Sequence, residues 1–231
     1  MKKLVGVVGT GDLFLTKNSR EDIYKFGNNY VKRITECGGI PLGILPVDGV
    51  IDEAVLNRFD SFLICGGNSN WPYHFQVVNH ALKTGKPLLG ICLGLQVIHR
   101  VFKTLDYMER TNYNGSIWDG YMEYGKGKDG FLLEPAPNHW VDLVRGSEKD
   151  SKHRVKLLNG SLINRLIGKE IICGGTFHHF RIVEPSDRLT ISGYAEDGTV
   201  EVIEYGDKIL GVQFHPEIDE ELMPVFEMLC M

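Results

Sequence analysis

Gly90-Ile91-Cys92-Leu93-Gly94 places a cysteine between two glycines, where the apolar run Pro87 to Ile91 gives way to helical spacing. A nucleophile flanked in this way sits on a sharp strand-to-helix turn, with glycines where side chains would collide. The turn lifts the thiol above the sheet edge and sets the N–H of Leu93 beside it, while the helix N-terminus below favours thiolate. A lone cysteine is usually a small buried hydrophobe; the paired glycines at this junction favour a nucleophile. A thiolate needs a base, and the base needs an orienting group. Phe214-His215-Pro216-Glu217 offers an imidazole and a carboxylate at the mouth of one strand, with Pro216 fixing the backbone between them. Alone, that segment reads as a surface turn followed by an acid in a first helical turn; beside the cysteine it reads as base and orienting carboxylate. Cys65-Gly66-Gly67-Asn68 closes another apolar run, and one of its glycine N–H groups could join that of Leu93 in an oxyanion hole. The chemistry these segments could do together is acyl transfer through a thioester.

The elements that must position them alternate. Residues 4–8 read as a buried strand, and Arg20 to Cys37 has helical apolar spacing that stops at Gly38-Gly39. Strand 40–46, a short helix near 51–58, strand Ser61 to Cys65, a helix from Tyr73 to Leu82, strand Pro87 to Ile91 and a helix from Leu93 to Phe102 follow. The strands are continuous apolar runs, as in a parallel sheet covered on both faces. Right-handed crossovers would gather the strand C-termini at one edge, where ligands bind in open α/β sheets. The expected fold class is therefore α/β, a mostly parallel central sheet with helices on both faces and a β-rich second half. That half holds strand candidates at 153–158, 170–173, 189–194, 200–205 and 208–214, with Asp197-Gly198 as a hairpin turn, and helical spacing returns after Pro216.

One domain over 1–231 is expected, interrupted at about 104–150 by an irregular stretch rich in aromatic residues, including Trp118, Tyr121, Tyr124 and Trp140, which reads as an ordered flap over the site. Gly9-Thr10-Gly11 lacks the third glycine of a dinucleotide loop and reads as a turn. His74, His80 and His99 make no recognisable metal set, and no metal or organic cofactor is needed. The composition is that of a soluble globular chain, 43% hydrophobic and 24% charged, with a formal net charge of -5 that gives no general attraction for nucleic acid or membrane surfaces. Five cysteines in irregular spacing suggest no disulfide framework, and no segment resembles a signal peptide or membrane span, so a reducing cytoplasm is the default location.

Gly-Ile-Cys-Leu-Gly-Leu-Gln at 90–96, the Gly-Gly turn at 66–67 and Phe-His-Pro-Glu at 214–217 resemble a class I glutamine amidotransferase domain. Tyr30-Val31 followed by Gly38-Gly39-Ile40-Pro41, the stretch 153–168, Phe177-His178-His179-Phe180 and the stretch 195–204 are more similar to its free-standing branch, the γ-glutamyl-γ-aminobutyrate hydrolase family. That branch usually has Arg after the nucleophile, where this chain has Leu93; leucine there is common in true amidotransferases. The resemblance implies a Cys92–His215–Glu217 triad, an oxyanion hole from the N–H groups of Gly67 and Leu93, and a pocket for the glutamyl head lined by Gln96 and the segment of His178 and His179. It implies hydrolysis of glutamine or a small γ-glutamyl amide without a cofactor. A synthetase partner receiving ammonia, a homodimer and a non-catalytic binding protein on the same fold stay open.

Overall fold

The computed structural model describes residues 1–12, 23–125, 132–140 and 152–231. The first half comprises β1 (Leu4–Val8), β2 (Thr10–Asp12), β3 (Ile23–Lys25), α1 (Asn28–Glu36), β4 (Ile40–Ile44), α2 (Glu53–Leu56), β5 (Ser61–Ile64), α3 (Pro72–Thr84), β6 (Leu88–Ile91), α4 (Leu93–Thr111) and α5 (Ile117–Tyr124). The second comprises β7 (Leu133–Pro135), β8 (Lys152–Leu157), α6 (Leu162–Ile167), β9 (Ile171–Gly175), β10 (Phe180–Ile182), β11 (Thr190–Ala195), β12 (Val200–Tyr205) and β13 (Ile209–Val212). Two 3-10 segments, Pro216–Ile218 and Glu220–Leu229, close the chain.

One sheet runs in the order β4-β1-β5-β6-β13-β12-β11-β8-β9 among the described residues. The pairings from β4 to β13 are parallel, and those from β13 to β9 are antiparallel. Successive residues of a strand point to opposite faces, and here both faces are covered. Phe62 and Ile64 join the core beneath α3 and α4, with Phe75, Val101 and Phe102, whereas Leu63 and Cys65 join the core beneath α1 and the C-terminal segment, with Ile34, Val225 and Phe226. Double burial explains why β1, β5 and β6 read as unbroken apolar runs.

The register sets the position of the site. Val8 pairs with Ile64, Ile64 with Gly90, and Ile91 with Val212. The chain therefore leaves β5 at Cys65, β6 at Cys92 and β13 at Gln213 along the same C-terminal edge, as a largely parallel sheet requires. The Asp197-Gly198 turn joins β11 to β12 in an antiparallel pair, with Gly198 at φ 85.

Several elements differ from their sequence reading. The expected helix from Arg20 begins only at Asn28, because Ile23–Lys25 pairs with Thr10–Asp12 as a small hairpin; residues 13–22 lie outside the described residues. Gly9-Thr10-Gly11 thus leads into a strand rather than forming a free turn, and a Cβ on Gly9 would come within 2.4 Å of the Lys25 carbonyl oxygen. The helix after Cys92 continues past Phe102 to Thr111 and stops on Asn112, which takes the left-handed conformation at φ 53. The stretch expected to be irregular is therefore partly helical, and α5 packs on α3 and α4. Trp118 and Tyr121 lie 5.0 and 4.9 Å from the ring of Phe75. Residues 126–131 and 141–150 of the expected flap lie outside the described residues, whereas Leu133–Pro135 forms a two-stranded ribbon with Phe180–Ile182. After Pro216 the chain coils as 3-10 segments, the longer with Pro224 inside it.

Gly94 carries a test of this packing. A Cβ there would meet the Ile64 carbonyl oxygen at 2.5 Å, a backbone atom fixed in the sheet. Gly94→Ala should destabilise the fold by about 1–3 kcal/mol in urea unfolding; an unchanged midpoint would show that α4 does not sit this close to β5.

Candidate active site

Cys92 occupies the N-cap position of α4 at φ 54 and ψ -101, a region that L-residues rarely adopt. The turn closes tightly because both neighbouring glycines are needed. A Cβ on Gly90 would come within 2.6 Å of the backbone of Gly94, and Gly94 itself lies against Ile64. The N–H of Cys92 donates to the Val212 carbonyl at 2.8 Å, tying the turn to β13. The side chain is 7% exposed.

His215 leaves the end of β13 and is held from three sides. Its N–H donates to the Gly175 carbonyl at 3.1 Å, its Nδ1 lies 2.6 Å from Oε1 of Glu217, and the ring of Phe177 packs against it edge-on at 5.7 Å. Cys92 and His215 meet over Gly66, where a Cβ would come within 2.9 Å of His215 Cε1 and 3.4 Å of Cys92 Cβ. Burial works against the imidazolium. Hydrogen bonds to Cys92 and Glu217, with the charges of both, outweigh it and raise the imidazole to about 10. Glu217 is buried, and its carbonyl accepts from Arg33 Nε at 3.0 Å.

Tyr30 is a residue the sequence reading did not assign to the site. Its hydroxyl accepts from the Gly66 N–H at 3.1 Å. Burial raises this phenol well above its usual range, and the nearby charge of Glu217 adds to the effect. Since Tyr30 takes up the Gly66 N–H, Gly67 is the glycine whose N–H stays in contention beside that of Leu93, the first residue of α4. A Cβ on Gly67 would strike Thr10 Cγ2 at 2.1 Å, so only glycine fits there.

The other expected residues divide. Gln96 is buried one turn into α4, its Nε2 3.3 Å from Gln213 Oε1 and 3.4 Å from the Phe180 carbonyl. The ring of His178 is engaged elsewhere, with Nδ1 3.0 Å from the Phe180 carbonyl and Nε2 3.1 Å from His139 Nδ1. His179 is exposed and stacks on Trp140 at 3.9 Å. His99 is fully buried, its Nε2 lies 3.0 Å from the Leu132 carbonyl, and burial lowers it to about 3. The sequence reading missed a cluster of His139, His153, His178 and Glu201, buried or half-buried, in which the donor atoms of His139, His153 and Glu201 all lie within 4.8 Å of one another. Its members come from separate elements, and no local spacing announces them.

The architecture is that of the class I glutamine amidotransferases. The glutaminase domain of Trypanosoma brucei CTPS with bound acivicin superposes with a TM-score of 0.65 at 16% identity, covering 98% of this chain and 92% of that one. A glutamine amidotransferase from Thermotoga maritima superposes at 0.58 and 18% identity, over 93% and 76%. The Peptidase C26 family model matches residues 72–217, and the chain belongs to that family. The protein NtpR of Enterococcus hirae is 24% identical over 213 residues, 82% of this chain and 80% of the relative. CTP synthase of Methanothermobacter thermautotrophicus is 28% identical over 184 residues, 75% of this chain and 33% of that longer protein. These matches reach the amidotransferase-like superfamily and do not single out the γ-glutamyl-γ-aminobutyrate hydrolases. No helix among the described residues is long and apolar enough to cross a membrane.

The raised imidazole makes a prediction about pH. A group whose folded value exceeds its unfolded 6.5 stabilises the fold fully below that pH and loses the contribution as pH rises through about 10. Glu217→Gln weakens the support of the imidazolium. Its loss of thermal stability relative to wild type should be largest near pH 6 and shrink toward about pH 10.5. A gap that widens with pH would contradict this electrostatic account.

Proposed function

We propose that the protein is a glutaminase-type amidohydrolase working through a γ-glutamyl thioester. The observation that carries this reading is Cys92 at the head of α4, against a histidine that is itself bonded to Glu217 at 2.6 Å. The Cys92 thiolate attacks the γ-carbonyl of glutamine or a γ-glutamyl amide. His215 accepts the thiol proton and delivers it to the departing ammonia or amine as the C–N bond breaks. Glu217 holds the imidazole in one tautomer and stabilises its charged form. The N–H groups of Gly67 and Leu93 receive the oxyanion, each worth roughly 3–4 kcal/mol to the transition state. Water then cleaves the thioester, releasing glutamate and the thiol. Gln96 and the backbone of 178–180 line the glutamyl pocket, meeting at the Phe180 carbonyl.

For the fate of the ammonia, the relatives favour delivery to a separate synthetase over hydrolysis of γ-glutamyl amines. CTP synthases recur among them, and another superposed structure, from Thermoplasma acidophilum, is described as part of a GMP synthase. Leu93 points the same way, since leucine after the cysteine resembles the true amidotransferases. Free-standing hydrolysis rests on the motif resemblance at 153–168, 177–180 and 195–204. A non-catalytic binding role leaves the His215–Glu217 pair without a task.

The test is steady-state release of glutamate from glutamine and from a panel of γ-glutamyl amides. Cys92→Ala should lower turnover by about a thousandfold or more while leaving the chain folded. A chain that serves a synthetase should accept glutamine above the substituted amides and accelerate when that synthetase is added. Efficient turnover of a γ-glutamyl amine by the isolated chain would favour the hydrolase reading, and equal rates for wild type and Cys92→Ala would remove both.

A further inference from the structure

A second polar centre lies on the antiparallel side of the sheet, built from four segments: His139 after β7, His153 in β8, His178 between β9 and β10, and Glu201 in β12. Glu201 is fully buried, and His178 and His139 are 2% and 4% exposed. Water therefore does little to solvate this carboxylate. Three ring nitrogens approach Glu201 Oε1: His153 Nε2 at 3.2 Å, His139 Nδ1 at 3.4 Å and His178 Nε2 at 3.4 Å. Yet neither oxygen of Glu201 nor either nitrogen of His153 has a partner in hydrogen-bond geometry among the described residues. The three rings converge on Glu201 without pointing at its oxygens.

The outward nitrogens settle the tautomers. His139 Nε2 lies 3.0 Å from Asp197 Oδ2, and His178 Nδ1 lies 3.0 Å from the Phe180 carbonyl. Both partners are acceptors, so both of these nitrogens carry hydrogen. In neutral rings the inner nitrogens, His139 Nδ1 and His178 Nε2, are then lone pairs, and they face each other at 3.1 Å. Two lone pairs and a buried carboxylate this close require a positive charge among them. A single proton bridges one pair and leaves the remaining contacts unsatisfied. A divalent cation satisfies them together. The triangle of His139 Nδ1, His178 Nε2 and Glu201 Oε1 has edges of 3.1, 3.4 and 3.4 Å. The edge of a tetrahedron with bonds of 2.0–2.1 Å, the length for zinc to histidine, is about 3.3 Å.

We propose that His139, His178 and Glu201, with His153 as the fourth donor, form a structural site for a divalent transition cation of the zinc type. Imidazole and carboxylate donors suit such a cation, and four protein donors in a buried setting make a closed site rather than a catalytic one. Asp197 and the Phe180 carbonyl act as the outer groups that orient metal-bound imidazoles. The cation would pin the segment after β9, where the Thr176 hydroxyl and the His178 N–H already donate to the His139 carbonyl at 2.7 and 3.0 Å. Phe177, which packs on His215, lies in that segment, and Gly175, whose carbonyl accepts from the His215 N–H, ends β9 just before it. The site thus staples the β-rich half to the edge that carries Cys92, and it departs from the expectation that no metal is needed.

Metal content and stability test this without reference to turnover. The chelator-stripped wild-type chain is titrated with zinc, then with cobalt as a spectroscopic probe, and melted after each addition. One equivalent of zinc should bind and raise Tm, and cobalt should give the strong visible d–d bands of tetrahedral coordination without a thiolate charge-transfer band. Cys92→Ala should bind equally well, which separates this site from the Cys92–His215 pair. Glu201→Gln should abolish stoichiometric binding. Asp197→Asn, whose side chain is 43% exposed and so leaves the core intact, should weaken binding about 10–100-fold. A wild-type chain that takes up no stoichiometric zinc and shows no rise in Tm overturns the proposal, as does binding lost in Cys92→Ala.

Discussion

The turn at Cys92 is the constraint from which the rest of the site follows. A non-glycine residue held at φ 54 stores on the order of 1–3 kcal/mol of backbone strain, which persists only where the surroundings over-determine it. Here they do. Gly90 and Gly94 allow β6 and the first turn of α4 to touch, Gly94 rests on the carbonyl of Ile64, and the Cys92 N–H is bonded across to β13. The strain is offset by the buried parallel strands on either side. It places the thiol at the one edge where β5 and β13 also deliver their loops.

Around that turn the molecule is layered for rigidity. Arg33 from α1 holds the backbone of Glu217, Tyr30 from the same helix holds Gly66, and Gly175 and Phe177 hold His215. The supports come from both ends of the sequence and from both halves of the sheet. The β-rich half is thus part of the site's scaffold, and the four-residue centre at Glu201 gives that half a fixed point of its own.

What was legible in the sequence was whatever the backbone dictates locally. The doubly buried strands, the glycine-flanked cysteine and the His215-Pro216-Glu217 segment each carry their signal within a few residues, and the parallel register brings them together. The Asp197-Gly198 turn was legible for the same reason. Hidden from the sequence were features set by distant partners. Ile23–Lys25 is a strand because Thr10–Asp12 pairs with it, against an apolar spacing that suits a helix. The extension of α4 to Thr111 and the helical turn at Ile117–Tyr124 depend on packing against α3, and the aromatic content that suggested a flap is partly core, with Trp118 and Tyr121 against Phe75. Tyr30 and Glu201 act through contacts with residues far along the chain, and no spacing rule finds them.

The central claim is that Cys92 is the nucleophile, and the most direct measurement is covalent trapping. The native chain is treated with a glutamine analogue bearing an electrophile at the γ-position, and the adduct is located by mass spectrometry of the intact protein and its peptides. One adduct per chain, on Cys92 and suppressed by excess glutamine, is the predicted result, even though Cys173 is the more exposed thiol. Labelling of Cys173 or another side chain with Cys92 unmodified, or labelling that glutamine does not compete, would contradict the account.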